Sequence, residues 1–306
     1  MRVILSAFFW VYMAVSLMAF WFAVVIPWLV IAPFDRRRIF SHWYAYTWAC
    51  HYIRISPFWR VEVEGVEKID DDVPYVMVAN HQSIADIMVL FTLRKQFRWV
   101  AKDSVFKVPF LGWMMRMANY VAIKRGDRAS REKMMDECKA HLAMGNPVMM
   151  FPEGTRSETT QMRSFKRGAF RLAVDTASPV LPIIIDGTRH ALPKNSWIFN
   201  QTGKLTIRIR VLDPIRPDEF EHDVGRMMHS TRELMSEELT ALRAERDRPD
   251  GDPLLPLAKL REQARERAAK RRERWAHLRR RGEDSSNGEL DDDELRADLE
   301  EKTGSD

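Results

Sequence analysis

The chain opens on an unbroken apolar run, continues through short apolar stretches and helical periodicities, and closes on blocks of charge. Val3 to Phe34 is 32 residues without a charged side chain, rich in Phe, Trp, Leu, Val and Ala. Arg2 precedes it and Asp35-Arg36-Arg37-Arg38 ends it. A spanning helix needs about 20 apolar residues, so the run is long enough to enter a bilayer. It is also too long for the roughly 7–15-residue apolar core of a secretory signal. Pro27 and Pro33 each interrupt helical hydrogen bonding. The run therefore reads either as one tilted span or as two short helices within one leaflet. Residues 1–38 form a membrane anchor, and residues 39–58, aromatic and without clean periodicity, read as a helical segment close to the membrane.

Beyond the anchor the pattern changes every 10 to 20 residues. Val61-Glu62-Val63-Glu64 alternates as a strand does and stops at Gly65. Tyr75 to Ala79 is an apolar run between Pro74 and Asn80, a buried strand. Ile84, Ile87, Met88 and Phe91 repeat at helical spacing over 83–94. Tyr120 to Ile123 reads as a short strand. Residues 128–144 place Met134, Met135, Cys138 and Leu142 on one helical face, with Gly145 as the stop. Val148 to Phe151 and Val180 to Ile185 are two further buried strands. Leu205, Ile207, Ile209 and Val211 alternate with Thr206, Arg208 and Arg210, which predicts a half-exposed strand. A last amphipathic helix covers 223–245. Strands interleaved with helices predict an α/β sheet domain over 59–245, ample for one core.

Composition adds a compartment and a charge map. Cys50 and Cys138 are the only cysteines, with neither metal-ligand nor disulfide spacing, as suits a reducing compartment. The net charge of +5 is unevenly placed: Lys259–Arg281 holds 11 basic and 3 acidic residues, and Glu283–Asp306 holds 11 acidic and 2 basic. These blocks nearly cancel, leaving a mildly basic body suited to an anionic membrane surface or phosphate-bearing ligands. Residues 246–306, entered through Pro249-Asp250-Gly251-Asp252-Pro253, read as a charged extension, a basic helix followed by an acidic disordered tail. No aromatic stacking pattern accompanies the basic block, so nucleic acid is not an expected partner.

Chemistry concentrates just past the buried strands. Asn80-His81-Gln82-Ser83-Ile84-Ala85-Asp86 follows the strand Tyr75–Ala79. Five residues apart on one continuous helix, His81 and Asp86 would point about 140° away from each other. With His81 in the turn after the strand and Asp86 in the first turn of the next helix, the two side chains meet. Asp86 can then accept a hydrogen bond from one imidazole N–H and fix the tautomer, leaving the other nitrogen to accept a proton from an alcohol. Phe151-Pro152-Glu153-Gly154-Thr155-Arg156-Ser157 also follows a strand. An arginine beside exposed backbone N–H groups at a strand end forms a fork for phosphate. Lys124-Arg125 occupies a third strand end. Val180 to Ile185 carries Pro182 but no chemistry of its own.

Taken in order, His81-x4-Asp86, Lys124-Arg125, Phe151–Ser157 and Val180-Leu181-Pro182-Ile183 resemble the four blocks of the glycerolipid acyltransferases. Within that family the chain looks most like bacterial 1-acyl-sn-glycerol-3-phosphate (lysophosphatidate) acyltransferases, over roughly residues 30–220. The resemblance implies a mixed, largely parallel sheet with helices on both faces. It implies His81 as general base oriented by Asp86, and Arg125 and Arg156 on the acceptor phosphate, with Lys124 and Thr155 in the same binding set. Glu153 and Gly154 shape the glycerol pocket, and Pro182 forms a wall near the acyl donor. No cofactor is implied beyond the thioester co-substrate, acyl-CoA or acyl carrier protein. The partners are a lysophospholipid acceptor, that donor and the bilayer, with the catalytic domain on the cytoplasmic side of the inner membrane. The second block departs from the family pattern at Ala118-Asn119, Ala122 and Lys124. The same residues would also serve an acceptor with another head group, such as lyso-ornithine lipid.

Overall fold

The computed structural model describes residues 2–246 except 57, 158, 160, 194 and 200–204. The basic helix and acidic tail expected beyond Arg246 lie outside the described residues.

Seven strands form one sheet: β1 Trp59–Glu64, β2 Val76–Ala79, β3 Arg98–Lys102, β4 Val121–Ile123, β5 Val148–Met150, β6 Val180–Asp186 and β7 Leu205–Val211. Their order across the sheet is β1-β7-β6-β2-β5-β3-β4. Every neighbouring pair is parallel except β6 and β7, so the sheet is mixed and largely parallel, as expected. β2 and β6 lie at its centre and are buried on both faces. Val76, Val78, Val180 and Ile184 pack into one core layer, while Met77, Ala79, Leu181, Ile183 and Ile185 pack into the other. Burial on both sides is why these strands read as apolar runs rather than as alternation.

The helices are α1 Arg2–Ile31, α2 Ile39–Ile55, α3 Ala85–Leu90, α4 Leu111–Met117, α5 Arg128–Ala143, α6 Gly168–Asp175, α7 Thr188–Ala191 and α8 Val224–Arg246. Met134 of α5, Phe170 of α6 and Met227 of α8 cover one face, and Trp48 and Tyr52 of α2 and Val89 of α3 cover the other. The apolar run is therefore one helix, α1, and not a pair. Pro27 stays inside it and the helix ends before Pro33. A single proline removes one N–H donor, a loss that an otherwise continuous 30-residue helix absorbs.

Along its length α1 lies on the domain. Near its start Phe199 N–H donates to Ser6 Oγ at 3.0 Å and Trp10 Nε1 donates to the Trp197 carbonyl at 2.7 Å. Further on, Tyr12 OH meets His51 Nε2 at 2.6 Å, and Trp21 packs on Trp113 with ring centroids 5.2 Å apart. The opposite face is open: Ile4, Phe8, Val11, Val15, Met18 and Phe22 recur at three- and four-residue intervals and are exposed.

The face of β7 expected to be half-exposed is covered at its end. Arg210 is buried and binds three carboxylates, Glu64 at 3.0 Å, Glu238 at 3.3 Å and Glu245 at 2.8 Å. Two of these carboxylates come from α8, which lies over that part of the strand. Period-two alternation shows which side chains share a face, not whether a distant helix will cover it.

Candidate active site

β2 ends at Ala79, and the next residue locks the turn in place. Asn80 Nδ2 donates to the Ile185 carbonyl and Ile185 N–H donates back to Asn80 Oδ1, both at 2.8 Å. This two-way bridge fixes the chain leaving β2 against the end of β6. His81 then lies in the turn and Asp86 in the first turn of α3, as the five-residue spacing required. His81 Nδ1 meets Asp86 Oδ2 at 2.8 Å. The same oxygen accepts the backbone N–H groups of Gln82 at 2.7 Å and Ser83 at 2.8 Å. An oxygen receiving three donors is a carboxylate acting as acceptor, so the ring proton sits on Nδ1 and Nε2 is left as the proton acceptor. Asp86 is fully buried and the His81 side chain keeps 11% exposure, so the carboxylate is shielded while the imidazole stays within reach of a substrate.

The loop after β5 holds His81 from the other side. Glu153 Oε1 accepts the His81 backbone N–H at 2.8 Å, and Ser157 N–H donates to the His81 carbonyl at 2.8 Å. Glu153 Oε2 accepts the Arg163 N–H at 2.9 Å and the Ser157 hydroxyl. Phe151 stacks on the imidazole, with centroids 4.0 Å apart and planes 12° from parallel, and Trp99 stacks behind Phe151 at 5.5 Å. A ring clamped on one face, with its backbone bonded at both N–H and carbonyl, has little freedom to turn.

Glu153 is buried, and both of its oxygens bind protein donors, so it ties the 151–157 loop to the His81 turn. Pro182 belongs to the centre of the sheet. It lies mid-strand in β6, buried and paired in register with Val78, on the side of the sheet that α5, α6 and α8 cover. Its carbonyl accepts Leu212 N–H at 2.9 Å just past the end of β7, where its own missing N–H interrupts no strand pairing.

The remaining residues sit along one edge. Thr155 and Arg156 are partly exposed in the loop, and Arg156 immediately precedes Ser157, the residue bonded to the His81 carbonyl. Lys124 and Arg125 follow β4 at the end of the sheet, two strands from β5, and are exposed; Lys124 Nζ is 3.6 Å from Asp127 Oδ2. Between them β3 ends in Lys102, also exposed, on the carboxyl edge shared by β2, β5 and β4. Sequence reading missed Lys102 because it missed β3. The only signal was the Phe97–Ala101 stretch, interrupted by Arg98. Among the described residues no group of three or more His, Cys, Asp or Glu side chains is placed to hold a metal ion.

Away from the edge, His42 is fully buried, with Nδ1 2.8 Å from the Tyr120 hydroxyl and Nε2 3.0 Å from the Lys95 carbonyl. Burial, reinforced by the cationic Arg98, pushes its pKa down to about 3. Arg98 is itself buried and donates to the carbonyls of Phe97 and Arg37; burial lowers its pKa to about 10. His141 is lowered to about 4 by burial and by the same arginine.

Fold and site together define an α/β protein with a histidine–carboxylate pair and a cationic loop at the carboxyl edge of its sheet. Residues 60–186 match the model of the Acyltransferase family. A 1-acyl-sn-glycerol-3-phosphate acyltransferase of Pseudomonas aeruginosa is 32% identical over 196 residues, covering 63% of this chain and 70% of that protein. One from Chlamydomonas reinhardtii is 40% identical over 185 residues, 58% of this chain. The crystal structure of the 1-acyl-sn-glycerophosphate acyltransferase of Thermotoga maritima matches with a TM-score of 0.63 at 27% identity, covering 80% of this chain and 98% of that one. The chain belongs to the glycerolipid acyltransferase family. It spans about half the length of the algal and plant relatives it matches, 55%, 49% and 52% of them.

Proposed function

We propose that the chain transfers a fatty acyl group from a thioester, acyl-CoA or acyl carrier protein, to the sn-2 hydroxyl of 1-acyl-sn-glycerol-3-phosphate, giving phosphatidic acid for phospholipid synthesis. The observation that carries this reading is the His81–Asp86 pair bonded through Glu153 and Ser157 to the loop that bears Arg156. It sets a base beside a cation suited to an anionic alcohol.

In this mechanism His81 Nε2 takes the proton of the acceptor hydroxyl as that oxygen attacks the thioester carbonyl. The imidazolium that forms is stabilised by Asp86 through Nδ1–H. Collapse of the tetrahedral intermediate breaks the C–S bond, and the proton on Nε2 passes to the departing thiolate, restoring neutral His81 and releasing a free thiol. No acyl-enzyme forms. A thioester is already activated, so positioning and a base suffice, with no cofactor beyond the donor. Arg156, with Arg125, Lys124 and Lys102 along the same edge, supplies the positive field for the acceptor phosphate.

The membrane supplies the acceptor. The exposed stripe of α1 and its long docked face support a helix lying in one leaflet with the domain against it. Arg36, Arg37 and Arg38 at its end, and two unpaired cysteines, support the cytoplasmic side of the inner membrane.

The test is acyl transfer by the full chain in phospholipid vesicles, offered lysophosphatidate, lysophosphatidylcholine and a lyso-ornithine lipid in parallel. Lysophosphatidate is expected to be preferred, and preference for a phosphate-free lysolipid would overturn the proposal.

A further inference from the structure

Gly154 is held at φ +71°, in the left-handed region, with a side chain lying across it. A Cβ at this position would stand 2.8 Å from Lys166 Cε, 3.0 Å from its Nζ and 3.1 Å from its Cδ. The lysine therefore runs over the floor of the 151–157 loop and ends with its ammonium on the glycine. Its segment is fastened there at two points: Lys166 N–H donates to the Pro152 carbonyl at 2.8 Å, and Arg163 N–H donates to Glu153 at 2.9 Å. Among the described residues no carboxylate pairs with Lys166. A long, strongly hydrated cation ordinarily reaches away into water or to an acidic neighbour. Lys166 is exposed as a residue, yet its side chain runs along the backbone of the loop that carries Arg156, across the position where a Cβ would stand.

We infer that the Lys166 ammonium is a second contact for the acceptor's phosphomonoester, and that position 154 must be glycine to let it cross the loop. This rests on the acyl-transfer reading above and adds to it a residue with no assigned part. A compact ammonium and a planar guanidinium on one loop suit a dianionic, tetrahedral phosphate better than the single charge of a phosphodiester. Other phosphates on hand are those of the donor, so the two substrates are separated in the test.

Kinetics of the full chain in vesicles are measured for Lys166→Met, Lys166→Arg and, as control, Lys133→Met, an exposed lysine on α5 outside the site. Lys166→Met is expected to raise KM for lysophosphatidate about tenfold, as loss of one charge-assisted hydrogen bond would, with a much smaller change in KM for acyl-CoA. Lys166→Arg is expected to recover most of the loss, and Lys133→Met to match wild type. In a Gly154→Ala background, where the lysine is already displaced, Lys166→Met is expected to add less than about twofold. A wild-type acceptor KM in Lys166→Met, a rise in donor KM alone, or the same tenfold cost in both backgrounds would each overturn the assignment. If the wild type itself ignores lysophosphatidate, the acyl-transfer reading fails first and the assignment with it.

Discussion

Glu153 Oε1 accepts the main-chain N–H of His81 at 2.8 Å, across 72 residues of sequence. The base and the cationic loop are thereby one rigid body rather than two neighbours on a sheet edge.

Glu153→Gln keeps the size of the side chain but aims an amide at donors that now lack acceptors. Misplacing His81 by a fraction of an ångström should lower kcat about 100-fold, with little change in the acceptor KM. Steady-state kinetics on the vesicle-bound protein check this. A raised KM with unchanged kcat would instead return Glu153 to the glycerol pocket.

Stability should fall on mild acidification. His42 and His141 are held neutral, near 3 and 4, while the same residues in an unfolded chain titrate near 6.5. The unfolded chain therefore binds more protons below that value, and stability present above pH ~6.5 is lost as pH drops through 6 and 5. Each histidine contributes a slope of about 1.4 kcal/mol per pH unit in that window. Chemical denaturation at pH 7.5, 6.0 and 5.0 reads the slope, and His42→Asn should roughly halve it.

Membrane docking should depend on the open face of α1. Phe8 and Phe22 are 69% and 57% exposed on the domain. Changing both to Asp should reduce vesicle co-sedimentation at least about tenfold, since each Phe buried in lipid is worth roughly 2 kcal/mol. The fold should persist, because the docked face is untouched, and circular dichroism checks that.

Much of this was legible in the sequence, and the parts that were not share a cause. The central strands declared themselves because both of their faces are buried. The His81–Asp86 pair was readable because strand, turn and helix each leave a local signal, and only one arrangement lets the two residues meet. β3 was not readable: Arg98-Trp99-Val100-Ala101-Lys102 starts and ends with a cation, and Arg98 is accommodated only by carbonyls of Phe97 and Arg37. α6 opens on Gly168, and α4 follows Phe110 at φ 60°, neither a usual helix start. The inward turn of Glu153 could not be read either, because a loop has no period to say which way a side chain points.

In the proposed reaction His81, oriented by Asp86, is the base. Acyl transfer from acyl-CoA to lysophosphatidate by purified wild type, His81→Ala and Asp86→Asn, each shown folded and vesicle-bound, tests it most directly. Near-complete loss of transfer is expected in His81→Ala. In Asp86→Asn, where the amide no longer fixes the Nδ1–H tautomer, kcat is expected to fall about 10³-fold or more. Undiminished transfer by folded His81→Ala would contradict a role for His81 as the base.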